Sequence, residues 1–154
     1  MPDGFDVHID SSELDKMLAT LPPKVAKQYM SKALQKAGAV ILAPMVARAP
    51  ERTDDKTPDG DSLPQGILKF DLTTDVQLND AEGGGRVRVG PTSIAGHVAR
   101  WQNNGWAVTT RKGRKIKDKP GLFFMEGAYD EAGEASLETF IASLKESLEG
   151  GELC

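Results

Sequence analysis

Histidines, cysteines, clustered carboxylates and glycine-rich runs are where a chain of 154 residues would carry catalysis or hold a metal. Here their spacing argues against both. His8 and His97 stand far apart, and neither belongs to an HExxH pattern or to a set with CxxC, the spacings that bring ligands to one side of a metal. His97, beside Val98 and Ala99, reads as a structural histidine. Gly83-Gly84-Gly85 lacks the Lys-Ser/Thr that completes a phosphate loop, and a permissive hairpin turn explains the glycines. The run from Asp54 to Asp61, DDKTPDGD, matches a calcium loop in acidity alone, without regular ligand spacing or a closing bidentate glutamate. Cys154 is the single cysteine, which excludes a disulfide within this sequence. The residues therefore predict no enzyme, with no catalytic residue, metal site or cofactor.

The sharpest cluster is basic. Arg111, Lys112, Arg114, Lys115, Lys117 and Lys119 fall within nine positions and are opposed by Asp118 alone. Such a projection can touch phosphates without reading sequence, can meet an acidic surface of a partner protein, or can simply be solvated. The residues alone leave the three open. Trp101 and Trp106 flank the turn Asn103-Asn104-Gly105. Tryptophan and arginine are enriched at protein interfaces, and plugging the end of a sheet is the other use for the two rings.

These residues need elements to hold them. Leu14, Met17, Leu18 and Leu21 recur at helical spacing behind Ser11 or Ser12, predicting a short helix over 11–21 that Pro22-Pro23 ends. The same prolines suit the first turn of a long helix, whose apolar positions run from Val25 to Val46. Its small residues Ala33, Ala37 and Gly38 admit another backbone closely, and Pro44 predicts a kink or break around 40–44. Residues 50–66 carry three prolines, two glycines and five acids with no apolar period, which predicts a mobile acidic loop. Leu68, Phe70, Leu72, Val76 and Leu78 then alternate with Lys69, Asp71, Thr73, Asp75 and Gln77, predicting a strand that pairs with Arg86–Gly90. A short helix is expected over 94–103 and a basic hairpin over 106–119, with Lys112-Gly113 at its tip. A second long helix follows Pro120-Gly121, interrupted by Gly127 and Gly133 and capped by Gly150-Gly151. The order describes one α+β domain over 1–154, with a small antiparallel sheet of about four strands and the long N-terminal and C-terminal helices packed on one face.

Composition agrees with a single domain: 39% of residues are apolar and 27% charged. A chain of this size buries about 70% of its unfolded surface, so it needs no staple. Apolar stretches fall short of the ~20 residues of a membrane span, and Asp3, Asp6 and Asp10 replace the basic start of a signal peptide, so a soluble, cytosolic-type protein is expected, with no membrane contact. The net charge of −4 conceals alternating blocks: −4 over 1–21, +5 over 22–50, −6 over 51–82, +3 over 83–108, +5 over 109–119 and −7 over 120–154. Such segregation suits docking surfaces, although solvated faces also produce it, and the acidic total argues against a general DNA-coating protein.

The order of short motifs adds a resemblance. A long Ala/Lys-rich helix ends in Ala49-Pro50, and Gly66-Ile67-Leu68-Lys69 opens the strand region. Val87-Arg88-Val89-Gly90-Pro91, His97 to Gly105, and Pro120 to Glu131 follow in turn. This series resembles the neck and tail-completion proteins of long-tailed double-stranded DNA bacteriophages, also described as head–tail joining or minor tail components, over roughly residues 11–148. The resemblance implies a structural virion protein that forms a ring, six subunits being expected, between the head connector and the tail tube, with viral DNA passing through. A tail-tube terminator ring, or an accessory protein that binds DNA non-specifically through the basic hairpin, is the alternative. Location in the virion neck or tail follows, with assembly in the host cytoplasm. In this setting the six basic residues of 111–119 contact the DNA channel or a partner, and Trp101, Asn103, Trp106 and Phe123 are expected at the subunit interface.

Overall fold

A computed structural model describes residues 12–51, 66–79, 84–92 and 95–150, with the backbone alone for 12–14. The elements are α1 (Ser12–Ala19), α2 (Pro23–Arg48), α3 (Ile67–Asp71), β1 (Leu72–Leu78), β2 (Gly85–Pro91), α4 (Gly96–Asn104), β3 (Gly105–Thr109), β4 (Lys115–Pro120) and α5 (Phe124–Glu149). The fold is α+β as expected, with the long helices α2 and α5 as its frame. Most of the 50–66 loop, the turn after Asn79, His8 and Cys154 lie outside the described residues.

Two adjacent stripes on α2 organise the packing. Ala33 and Ala37, four residues apart, face α5; the Ser136 hydroxyl donates to the Ala37 carbonyl at 2.8 Å, and Leu144 closes over Ala33. Leu34 and Gly38, rotated by one residue, face the β1–β2 hairpin. A Cβ at Gly38 would stand 2.7 Å from Val87 Cγ2, so the missing side chain is what lets the hairpin lie against the helix. Toward the other end of α2, Ile41, Met45 and Ala49 pack with Leu68, Leu72, Ala95, Ala99, Phe124 and Ala128 in one buried cluster. Two ion pairs join the exposed edges of the helices, Lys36–Glu146 at 3.4 Å and Arg48–Glu131 at 2.6 Å. The basic block of α2 and the acidic block of α5 are thus partly neutralised against each other inside one subunit.

The structure corrects several local expectations. The four strands form two separate antiparallel hairpins, β1–β2 and β3–β4. Residues 67–71 are a helical turn, and β1 starts only at Leu72. Leu68 and Leu72 are four residues apart, which places them on one face in a helix and in a strand alike, so alternation could not separate the two. Phe70 and Asp71 do separate them: Phe70, inward in a strand, is exposed, and Asp71, outward in a strand, is buried. Helix α2 runs through Pro44 without a break, and α5 runs through Gly127 and Gly133. In both helices tertiary packing outweighs the local penalty. Gly150 caps α5 in a right-handed conformation.

Candidate functional site

The surface with the clearest capacity for recognition is built where α4, the β3–β4 hairpin and the start of α5 meet. The two ends of the hairpin cross at glycine. Gly105 pairs with Pro120, and a Cβ on Gly105 would stand 2.6 Å from the Gly121 nitrogen. A Cβ on Gly121 would stand 2.6 Å from the Asn104 carbonyl carbon. Only glycine at both positions allows the two chains to pass.

Asn103 locks this crossing to α5. Its Oδ1 accepts from the Met125 backbone N–H at 3.0 Å, and its Nδ2 donates to Glu126 Oε1 at 3.0 Å and Asn104 Oδ1 at 2.8 Å. The backbone N–H of Leu122 donates to the Gln102 carbonyl and that of Phe123 to the Asn103 carbonyl. Phe123, the N-cap position of α5, is left-handed at φ 48° and offers no side-chain cap, so Asn103 supplies the missing acceptor from another element. A bulky residue held in that region stores about 1–2 kcal/mol. Replacing Asn103 by alanine is expected to cost about 1–2 kcal/mol, read as a lowered urea midpoint at unchanged slope.

Beyond the crossing the hairpin is open to solvent: every residue from Arg111 to Pro120 is exposed. The tip is held by the Thr110 hydroxyl, which accepts from the Arg114 N–H at 3.0 Å, and by backbone bonds between Thr110 and Gly113 or Arg114. A register shift between Val108 and Thr109 leaves Ile116 as the extra residue. It puts Lys115 and Asp118, which strict alternation would place on opposite faces, on the same one, and they pair at 2.6 Å. The other face carries Trp106 and Val108 opposite Lys119 and Lys117, with the Lys119 ammonium 5.0 Å from the Trp106 ring centre. Arg111, Lys112, Arg114 and Lys117 have no ion-pair partner among the described residues.

The residues singled out by type thus meet in part. Trp101 is 52% exposed on α4, its ring edge-on to His97 at 5.4 Å, and Phe123 is 56% exposed beside Leu122 at the start of α5. Trp106 is half-buried at the hairpin root. Asn103 is 5% exposed and turned into the subunit, so it supports this surface from beneath. Alternation also gave no notice of Asp71, the last residue of α3, which ties that turn to the start of α4 with partners 21 and 24 residues away. Among the described residues no group of three His, Cys, Asp or Glu could hold a metal, and no helix is long and apolar enough to cross a membrane.

A family model described as "Bacteriophage HK97-gp10, putative tail-component" matches residues 12–105, from α1 to the end of α4 and the first residue of β3. The basic hairpin and α5 lie beyond the matched stretch. Neither curated proteins nor solved structures give a match.

Proposed function

This chain belongs to the HK97-gp10-like family of bacteriophage tail components, and from that premise we propose that it is a non-catalytic structural protein of the neck, a ring subunit between the head connector and the tail tube through which viral DNA passes. The observation that carries the reading is the family match across α1, α2, the β1–β2 hairpin and α4, more than half the chain. The surface supports it: a projecting basic hairpin and an exposed Trp101, Leu122 and Phe123 rim are suited to protein contact rather than to a reaction. Association with the connector, with a tail tube or terminator ring, and with further copies of the chain follows from such a position, as does residence in the virion after assembly in the host cytoplasm.

Two measurements test the proposal together. The protein is expected among the constituents of purified virions, and phage lacking it is expected to yield filled heads and tails that do not join, visible by electron microscopy. Absence from virions, or normal joined particles without it, overturns the reading.

A further inference from the structure

One feature of α5 is unfavourable in an isolated subunit. Glu126, Asp130, Glu134 and Glu138 recur every fourth residue, a stripe on one face of the helix about 18 Å long. Carboxylates at this spacing repel one another by a few tenths of a kcal/mol per pair. Glu126 is engaged by Asn103, but Asp130, Glu134 and Glu138 are exposed with no cation beside them among the described residues. Two cations of α2 are engaged by other carboxylates of α5: Arg48 takes Glu131 and Lys36 takes Glu146.

The chain holds a complement to this stripe. The β3–β4 hairpin presents Arg111, Lys112, Arg114 and Lys117, all exposed and unpaired. Successive same-side strand residues stand about 6.6 Å apart, and helical residues four apart about 6 Å, so Lys117 and Lys119 match the repeat of the carboxylates. From the geometry we infer that the basic hairpin of one subunit docks along the Asp130–Glu134–Glu138 stripe of a second copy. The inference rests on the reading of the chain as a ring subunit and names the surfaces that would meet. Hairpin and stripe are different patches, so the contact is heterologous and propagates from copy to copy until rotation closes it into a ring. The exposed Ile116 and the half-buried Trp106 on the hairpin add apolar area between the charges. DNA is the competing occupant of the hairpin; an unpaired acidic stripe of matching period on the same chain favours protein.

Charge swapping on the full-length protein tests this. One variant carries Lys112→Glu, Arg114→Glu and Lys117→Glu, a second carries Asp130→Lys, Glu134→Lys and Glu138→Lys, and a third carries all six. Self-association is followed by sedimentation velocity at low ionic strength, with circular dichroism confirming that each variant is folded. The wild type is expected to associate, each triple variant alone to associate about 100-fold more weakly, and an equimolar mixture of the two triple variants, or the sixfold variant alone, to recover to within about tenfold. Wild type that stays monomeric at every concentration, or triple variants that associate as the wild type does, overturns the inference. So does hairpin reversal that abolishes binding to duplex DNA while leaving self-association intact, which would give the hairpin to DNA. Any of these results together with protein present in virions removes the docking mode and leaves the ring-subunit reading standing; absence from virions removes that reading instead.

Discussion

Gly105→Ala is expected to destabilise the protein by about 3–5 kcal/mol. Two costs coincide at this position. The backbone has φ 81°, where an L side chain is strained by about 1–2 kcal/mol. The added carbon would also press on the backbone of the returning strand, at 2.6 Å from the Gly121 nitrogen and 2.9 Å from the Pro120 carbonyl carbon. Backbone is not the far end of a flexible side chain and cannot swing away, so relief requires opening the crossing that roots the hairpin. Two comparisons isolate the causes. Gly113 shares the left-handed conformation, φ 79°, but has open space around it, and its alanine variant is expected to lose only about 1–2 kcal/mol. Gly90 has neither constraint, and Gly90→Ala is expected within about 0.5 kcal/mol of the parent. Urea unfolding of the three variants gives the ranking, and a Gly105 variant no less stable than the Gly113 variant would show that the crossing is looser than its distances state.

The long helices were legible in the sequence because their apolar residues repeat over seven turns, and a pattern of that length survives an internal proline or glycine. The basic hairpin was legible from the turn residues Lys112-Gly113 and from Val108 and Ile116 on its two arms. The register shift was not, since it depends on which strand absorbs the extra residue, and with it went the pairing of Lys115 with Asp118. The same limit governs the helix starts. Helix α4 begins after Ala95 and α5 after Phe123, and neither residue can cap with its side chain. Asp71 serves the first and Asn103 the second, from other elements. Capping by a residue in the preceding position leaves a signature of neighbours, whereas capping across the fold leaves none, because the separation of 22 to 24 residues is set by tertiary packing. Asp71 and Asn103 therefore look like ordinary surface polar residues until the chain is folded.

Asp71→Ala is accordingly expected to lose about 3 kcal/mol of stability. Asp71 is 6% exposed. Its Oδ2 accepts from the Ala95 N–H at 2.9 Å, its Oδ1 accepts from the Thr92 hydroxyl, and its backbone carbonyl accepts from the Thr92 N–H at 3.1 Å. Ala95 is fully buried, so its N–H finds no water when the carboxylate is removed. A donor stranded in this way costs about 1–3 kcal/mol, and bonds to a charged acceptor contribute about 1.5–3 kcal/mol. Asp71→Asn separates hydrogen bonding from charge. The amide oxygen can still accept from Ala95, and the amide nitrogen can donate to the Thr92 oxygen, leaving mainly the carboxylate's favourable placement at the N-terminus of α4, about 0.3–1 kcal/mol. The alanine variant is therefore expected to fall well below the asparagine variant in thermal unfolding. In hydrogen exchange its lost protection should concentrate in α4 and the β3–β4 hairpin, because α4 carries both Trp101 and the Asn103 that fixes the start of α5. Equal losses for the two variants would mean that charge, not satisfaction of the buried N–H, holds α4 in place. A loss of protection spread evenly over α2 would mean that α4 is not the element Asp71 secures.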